Sequence, residues 1–521
     1  MCCRHESQRV TYPKPGKNIL KFDKFQFQFE VPFTIYADFE SFLVKNTDQS
    51  DTHVPSGFCV LTTSIFDEYD YKLYCYSGEN VTDEFFDYMK LEEKRISQIL
   101  NRNVTMNKLT LDQLLKHDNA RNCMTCDKEF TAPNPKVHHH CHVTGNYLGA
   151  ACQACNLQLK FRKSNKRWFI ACFLHNSSAY DSHLIIKNFH NKQAKITVIP
   201  NNTEKFIGFQ IDSIRYLDSF KFLPASLDDL VKNLKKDGVE NFKYTIRTFG
   251  DGDPNIFKKG VFPYEHMVNR EVFAETVLPS IESFYSKLKF EGITEKQYAR
   301  AQQMWKRYNC KTLEDYHNLY LKLDVTLLAD VMQNFRRMGL REYRLDPAHC
   351  WTLAGYTWHC CLRMTNMQLE LITDPNIFLM FENSIRGGVS TVSNRYAKAN
   401  HKYLDDFDPS LPSTYIVGYD VVNLYGYAIL NKLPCSNFRF VEEPEQFDFQ
   451  AVDVEGDTGY LLEVDLTYPC KLHNLHSDFP LAPEHMKVTP QMLSDYNTNP
   501  IFRGQTSLIP NLLIKRITFC T

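Results

Sequence analysis

Two knuckles, Cys123-x-x-Cys126 and Cys152-x-x-Cys155, constrain this chain more than any other feature. The start, Met1-Cys2-Cys3-Arg4-His5, lacks the apolar core of a secretory signal. Without such a signal, paired Cys-x-x-Cys reads as metal before disulfide. Four thiolates at this spacing close a tetrahedral structural Zn²⁺ site. The composition changes abruptly at this block, which therefore reads as a zinc module inserted into a larger fold. Between the knuckles stand Val137-His138-His139-His140-Cys141-His142 and Thr144-Gly145.

The rest must be a packed globular chain. At 521 residues it is long enough for about three domains. Hydrophobic residues make up 43% and aromatic residues 13%, which excludes a chain disordered throughout. No apolar run reaches the ~18 residues that a membrane span needs, and with mean hydropathy of -0.39 an intracellular protein is expected, in the nucleus or the cytoplasm. Net charge is -1, so a nucleic-acid partner would have to be met by local patches. Lys160, Arg162, Lys163 and Lys166 form one, and the three lysines within Lys232 to Lys236 form another. Both also suit a solvated surface.

An apolar lead-in, Val31 to Ile35, reads as a short strand that delivers Asp38 and Glu40. In a strand, residues i and i+2 share a face, so both carboxylates can reach one metal centre. Magnesium takes oxygen ligands of this kind. Phe58 to Phe66 and Tyr69 to Tyr76 suggest a hairpin, and Val81 to Leu115 reads as a charged helix. After the knuckles, Trp168 to Asn176 is an apolar strand ending in polar residues, followed by Tyr180-Asp181. Ile214 to Phe222 reads as a strand, Ser226 opens a capped helix, and residues 249–264 make a loop. Thr294 to Asn309 and Leu313 to Met338 read as helices. In the second, Tyr320 and Asp324 share a face. Leu319, Leu323, Leu327 and Leu328 bury it, and an Asp there is costly unless paired or metal-bound.

In order, Asp38-x-Glu40, Asn176-x-x-x-Tyr180-Asp181 and Tyr320-x-x-x-Asp324 resemble the three motifs of the 3′–5′ exonuclease of family B DNA polymerases. The wider stretches Tyr36-Ala37-Asp38-Phe39-Glu40-Ser41, Tyr180-Asp181-Ser182-His183-Leu184-Ile185 and Leu323-Asp324-Val325 are similar to the protein-primed branch of viruses, Polinton-type elements and linear organellar plasmids. The resemblance implies a fold class: α/β, a ribonuclease H-like 3′–5′ exonuclease domain with a small zinc-ribbon/His-Me finger insert, followed by the start of a polymerase palm. It implies catalytic metal binding by Asp38, Glu40, Asp181 and Asp324 with Mg²⁺ or Mn²⁺, a water-orienting Tyr320, and contacts from Asn176 and Ser219 to a single-stranded 3′ end. Phe220 suits base stacking or core packing. The cysteine block resembles the endonuclease VII group of His-Me finger nucleases, in which His140 matches the general base and Asn156 a metal ligand. His139 stands where that group has Asp, and a neutral imidazole is a poor magnesium ligand.

The resemblance continues towards the C-terminus. Arg386-Gly387-Gly388 matches a Tyr-x-Gly-Gly stretch that touches template DNA, with Ser384 in place of the Tyr. Tyr415 to Gly426 is similar to the first palm motif, an apolar strand carrying Asp420 for the nucleotide's metal and Tyr425 under its sugar. Asp465, His473, His476 and Phe479 to Glu484 extend the likeness. Neither a Lys-x-x-x-Asn-Ser-x-Tyr-Gly helix nor an Asp-Thr-Asp strand is present; Asp457-Thr458-Gly459 lacks the second Asp. Nucleotidyl transfer needs two palm carboxylates, so the expectation is the front part of a polymerase, truncated before its palm is complete. The expected divisions are a leader 1–30, exonuclease 31–118 and 163–340, insert 119–162, and polymerase 341–521. Expected partners are primer-template DNA, single-stranded 3′ ends, deoxynucleotides and a terminal protein primer, with no membrane. The rivals are a DNA endonuclease acting through His140 and a non-catalytic, zinc-stabilised DNA-binding remnant.

Overall fold

The computed structural model describes residues 11–45, 51–158, 168–189, 194–202, 205–385, 387–492 and 506–520. The basic run from Lys160 to Lys166, and Arg386, lie outside the described residues. The chain divides into two compact units, Phe22–Asn366 and Met1–Lys21 with Met367–Thr521.

The first unit is built on a mixed seven-stranded sheet. Its spatial order is Lys72–Tyr76, Asp51–Ser64, Phe33–Lys45, Ile170–Leu174, Ile214–Asp218, Phe206–Ile211, Ile196–Pro200. Phe33–Lys45 runs parallel to Ile170–Leu174, which runs parallel to Ile214–Asp218; the other pairings are antiparallel. Three neighbouring strands therefore end at one edge, where ligand sites of α/β sheets form. The strand that begins the acid motif is longer than its apolar lead-in suggests, running through both acids to Lys45.

Strand alternation divides the core in two. Tyr36, Phe42, Cys59 and Leu61 pack on the face covered by the 31-residue helix Leu313–Tyr343, together with Leu323 and Leu327. Ile35, Ala37, Phe39, Phe58 and Val60 pack on the opposite face against Phe85, Met89 and Ile96 of helix Val81–Leu100. That helix is shorter than the expected span of 81–115. It ends at Asn101, and a second helix, Leu111–Asn119, starts at a Thr110/Gln113 capping box. Asn101, Asn103 and Thr105 bond their own backbone too readily to continue a helix. Ile214–Asp218 likewise stops short of Phe222, because Asp218 caps the tight turn Ser219–Lys221.

The long helix lies close on the sheet. Gly57, the partner of Glu40 on the neighbouring strand, makes this possible. A Cβ there would come within 2.5 Å of the His317 ring and 2.7 Å of the Tyr76 carbonyl oxygen. At the start of the sheet, fully buried Arg336 pairs with Asp346 through bonds of 3.0 and 2.6 Å. Asp346 also accepts from the Val31 N–H at 2.7 Å.

In the second unit, Leu462–Leu466 pairs with Lys515–Cys520 and Glu484–Lys487 pairs with Thr506–Ile509. The expected strand over Tyr415 to Asp420 is irregular chain instead, followed by the short helix Leu424–Ile429. Ile416 and Val417 stay exposed there. An apolar run becomes a strand when neighbours take up its main-chain groups and side chains, and no described strand pairs with it. No helix among the described residues is long and apolar enough to cross a membrane.

Candidate active site

The four motif acids arrive from three directions. Asp38 and Glu40 project from the face of Phe33–Lys45 that meets the long helix. Asp181 opens the helix Asp181–Lys187, after a turn that follows strand Ile170–Leu174. Asp324 lies mid-way along Leu313–Tyr343, at 2% exposure. Glu40 and Asp181 are also buried, and Asp38 is half-buried.

These groups feel one another. Burial first, then the Asp324 charge, pushes Asp38 up to about 7. Burial and the neighbouring Asp38 push Glu40 well above the usual carboxylate range, with Asp324 and Asp181 adding to it. Burial and Asp38 do the same to Asp181. Asp181 Oδ1 and Asp324 Oδ1 are buried without a hydrogen-bond partner, a cost that a bound cation would remove.

One cation is already among them. Lys259 Nζ sits 2.7 Å from Asp324 Oδ2. Burial works against its charge, but Asp324, Tyr264 and Asp38 together hold its pKa above the ordinary value. Arg300 fixes the loop that carries it, donating to the carbonyls of Asn255, Lys258 and Lys259 at 2.6 to 2.7 Å. Gly260 lets this loop pass beneath Tyr320, since a Cβ would lie 2.7 Å from the ring. The Tyr320 hydroxyl lies 3.0 Å from that of Tyr264.

The Asp181 turn is braced from behind. Asp218 accepts from the main-chain N–H of Ser178 at 3.1 Å and of Phe220 at 3.0 Å. Asn176 begins the turn with φ of 58°. Ser219 is fully buried; its hydroxyl donates to the Leu174 carbonyl at 3.0 Å and meets His175 Nδ1 at 2.9 Å. Phe220 is half-buried, edge-on to His175. Sequence reasoning missed Lys259, Tyr264, His175 and Asp218. Lys259 and Tyr264 fall in a stretch without periodicity, where Lys258-Lys259-Gly260 was the one signal.

The four cysteines also converge. Sγ atoms of Cys123, Cys126, Cys152 and Cys155 all lie within 4.8 Å of one another, the one such group of three or more metal-ligand atoms among the described residues. The acids are spread wider. Two ions ~3.5–4 Å apart, each ~2.1 Å from its ligands, need a spread of up to about 8 Å. Main-chain N–H groups of Thr125 and Cys152 point at the Cys123 sulfur, as they would at a thiolate. The hairpin Lys136–His140 and Tyr147–Cys152 lies beside the cluster. His139 Nδ1 meets Asn156 Oδ1 at 2.8 Å, and burial lowers the His139 pKa. His140 is half-buried at the hairpin's bulge, its ring 4.6 Å from that of His142.

In the second unit, Gly387, Gly388, Asp420 and Tyr425 are all exposed, Tyr425 at 87%. Asn423 caps the short helix by accepting from the Gly426 N–H at 3.1 Å. Asp465 lies on Leu462–Leu466, and His476 bonds the Tyr468 hydroxyl at 2.7 Å.

The first unit is thus a mixed α/β fold whose strand Phe33–Lys45, helix Asp181–Lys187 and long helix carry the four motif acids. The chain belongs to the DNA polymerase type B family, organellar and viral, whose model matches residues 161–492. A probable DNA polymerase of Podospora anserina is 23% identical over 258 residues, 48% of this chain and 18% of the relative. A probable DNA polymerase of Ascobolus immersus is 25% identical over 310 residues, 56% of this chain and 23% of the relative. The chain thus spans about a fifth of the length of these relatives. No solved structure matches it.

Proposed function

We propose that this chain is the exonuclease-bearing stretch of a protein-primed type B DNA polymerase. Asp38, Glu40, Asp181 and Asp324 hold two Mg²⁺ or Mn²⁺ ions, and the site shortens single-stranded 3′ ends. The observation that carries this reading is that Asp38, Glu40 and Asp181 lie near enough for carboxylate charge to raise their pKa values, with Asp324 among the charges acting on Asp38 and Glu40. The donor set fits: hard oxygen ligands, two of them buried without a partner. Bound there, the ions would lower the pKa of the attacking water and stabilise the leaving 3′ oxygen.

The chain's own residues do the rest. The paired hydroxyls of Tyr320 and Tyr264 hold and orient the attacking water. Lys259 offsets the carboxylate charge against an incoming phosphate. Asp218 keeps the Asp181 turn in place. Asn176 contacts the 3′ nucleotide, and Ser219, its hydroxyl engaged, acts through His175. The fold that results is ribonuclease H-like. Asp38→Asn and Asp324→Asn should each slow shortening of a 5′-labelled single strand by more than about 100-fold, since even outer partners of a metal site matter on that scale. Shortening that survives both changes sinks the reading.

Within the proposal, residues 119–162 are an insert closed by Zn²⁺ on the four cysteines. Gly387, Gly388, Asp420 and Tyr425 belong to the polymerase part, with primer-template, deoxynucleotides and a terminal protein as its partners. Primer extension is not expected of this stretch by itself, because Asp420 is its one matched palm carboxylate. A second reading, DNA cleavage through His140 and Asn156, is favoured by the 2.8 Å contact of His139 with Asn156. Comparing His140→Ala with Asp38→Ala on a branched and on a tailed duplex separates the two.

A further inference from the structure

Between the Lys259 loop and the helix Glu295–Arg307, the chain makes a small closed turn, Ser286-Lys287-Leu288-Lys289-Phe290-Glu291. Ser286 and Glu291 pair as an antiparallel bridge, and the Ser286 N–H donates to the Glu291 carbonyl at 2.8 Å. At its tip Leu288 is 89% exposed and Phe290 82% exposed. Phe290 also holds φ at 54°, a costly conformation for an aromatic residue. A solvated turn has no need of two large apolar side chains presented in this way.

The turn is tied to the acid site. Lys287 Nζ lies 3.2 Å from Glu265, and the Lys287 N–H donates to the same carboxylate at 3.3 Å. Glu265 adjoins Tyr264, whose hydroxyl meets that of Tyr320. The Lys287 and Lys289 side chains are 60% and 70% exposed in their ion pairs with Glu265 and Glu291. Exposed pairs of this kind are weak, so a phosphate can compete for either lysine. Leu288 stands between the two lysines and Phe290 beside Lys289, and apolar platforms next to cations are what unpaired bases on a charged backbone require.

We propose that the Ser286–Glu291 turn is a single-strand-binding finger: Leu288 and Phe290 pack on unpaired bases, and Lys287 and Lys289 meet the flanking phosphates. The strand's destination rests on the exonuclease reading; the contact itself does not. Anisotropy of a labelled single-stranded oligonucleotide, with the full chain in chelator, reads binding without cleavage. Leu288→Ala/Phe290→Ala should weaken binding by about tenfold or more. Lys287→Ala/Lys289→Ala should flatten the salt dependence by about 0.7 per lost phosphate contact. With Mn²⁺, the ratio of oligonucleotide shortening to hydrolysis of thymidine 5′-(p-nitrophenyl phosphate), which has no further nucleotides to pack on the tip, should fall in the apolar variant. Unchanged oligonucleotide affinity overturns the finger, even where both substrates are cleaved, and leaves the tip to a protein partner. An equal loss on blunt duplex and single strand also overturns it. Weakened binding in a protein that cleaves neither substrate would sink the exonuclease reading and leave the finger standing.

Discussion

Acidification tests how the long helix is seated on the sheet. His317 lies three residues before Tyr320 and seven before Asp324, so its seat fixes the height of both over Asp38 and Glu40. It is fully buried; its Nε2 shares a 2.9 Å hydrogen bond with Ser56, and its Nδ1 lies 3.2 Å from the Asn318 side-chain oxygen. Burial lowers its pKa from 6.5 to about 4, with Asn318 opposing the shift and Arg270 reinforcing it. Between these values the unfolded chain binds a proton that the folded chain refuses. The stability from the neutral ring is therefore complete above about pH 6.5 and is lost as pH falls towards 4. At ~1.4 kcal/mol per unit the whole loss is about 3.4 kcal/mol, of which about 2 is gone by pH 5. Asp38 acts in the opposite sense: its raised pKa gives stability that is lost as pH rises towards about 7. The wild-type curve mixes the two, so the readout is the difference between wild type and His317→Gln, which can still bond Ser56 but cannot titrate. Urea unfolding at a series of pH values should show wild type losing ~1.4 kcal/mol per unit relative to the variant between about pH 6 and 4.5. Parallel curves would refute the buried neutral ring and the seating built on it.

Gly57→Ala should destabilise the first unit by about 1–3 kcal/mol in urea, and His317→Ala should relieve only part of that, because the Tyr76 carbonyl lies against the new Cβ as well. Asp346→Ala leaves the Arg336 guanidinium buried without its carboxylate and should cost about 3–5 kcal/mol, read from the same unfolding curves. Cys126→Ser should cut bound zinc, measured by atomic emission after dialysis, and raise the rate of proteolysis within residues 119–158. Zinc content equal to wild type would argue against the four-cysteine centre.

Four of the candidate residues were legible because each sits where a periodic element sets its direction, whereas Asp181 follows a turn. Asp38 and Glu40 follow strand alternation, and Tyr320 and Asp324 follow helical spacing. Thr294 and Ser226 announced helix starts that the structure has, each bonding the N–H three residues on. What stayed hidden was set by tertiary contact rather than by local order. Lys259 gains its meaning from Arg300 gripping its loop and from Asp324 across a gap of 65 positions. Asp218 read as the middle of a strand running on to Phe222, while its carboxylate braces a turn forty residues earlier. Tyr415 to Asp420 has the letters of a strand, but a strand is a pairing and the described chain supplies no partner.

The family match begins at residue 161, so Asp38, Glu40 and all four knuckle cysteines lie outside it. The sheet nevertheless joins the two segments. Tyr36 stands opposite Phe173 in parallel register, and Leu174 stands opposite Asp218. Removing the first strand would leave Ile170–Leu174 with an open edge and Asp181 without the Asp38 charge that acts on it. Strands Phe33–Lys45, Asp51–Ser64 and Lys72–Tyr76 thus share one sheet with strands beyond the cysteines. Electrostatics points the same way. Lys259 is one positive charge among the motif acids, and burial together with neighbouring carboxylate charge raises the pKa of Asp38, Glu40 and Asp181. On the proposed reading such a site would take up divalent cations, and its affinity for them should rise with pH as Asp38, Glu40 and Asp181 are freed of protons. That coupling needs both segments, and a chain beginning at residue 161 should show neither the uptake nor its pH dependence.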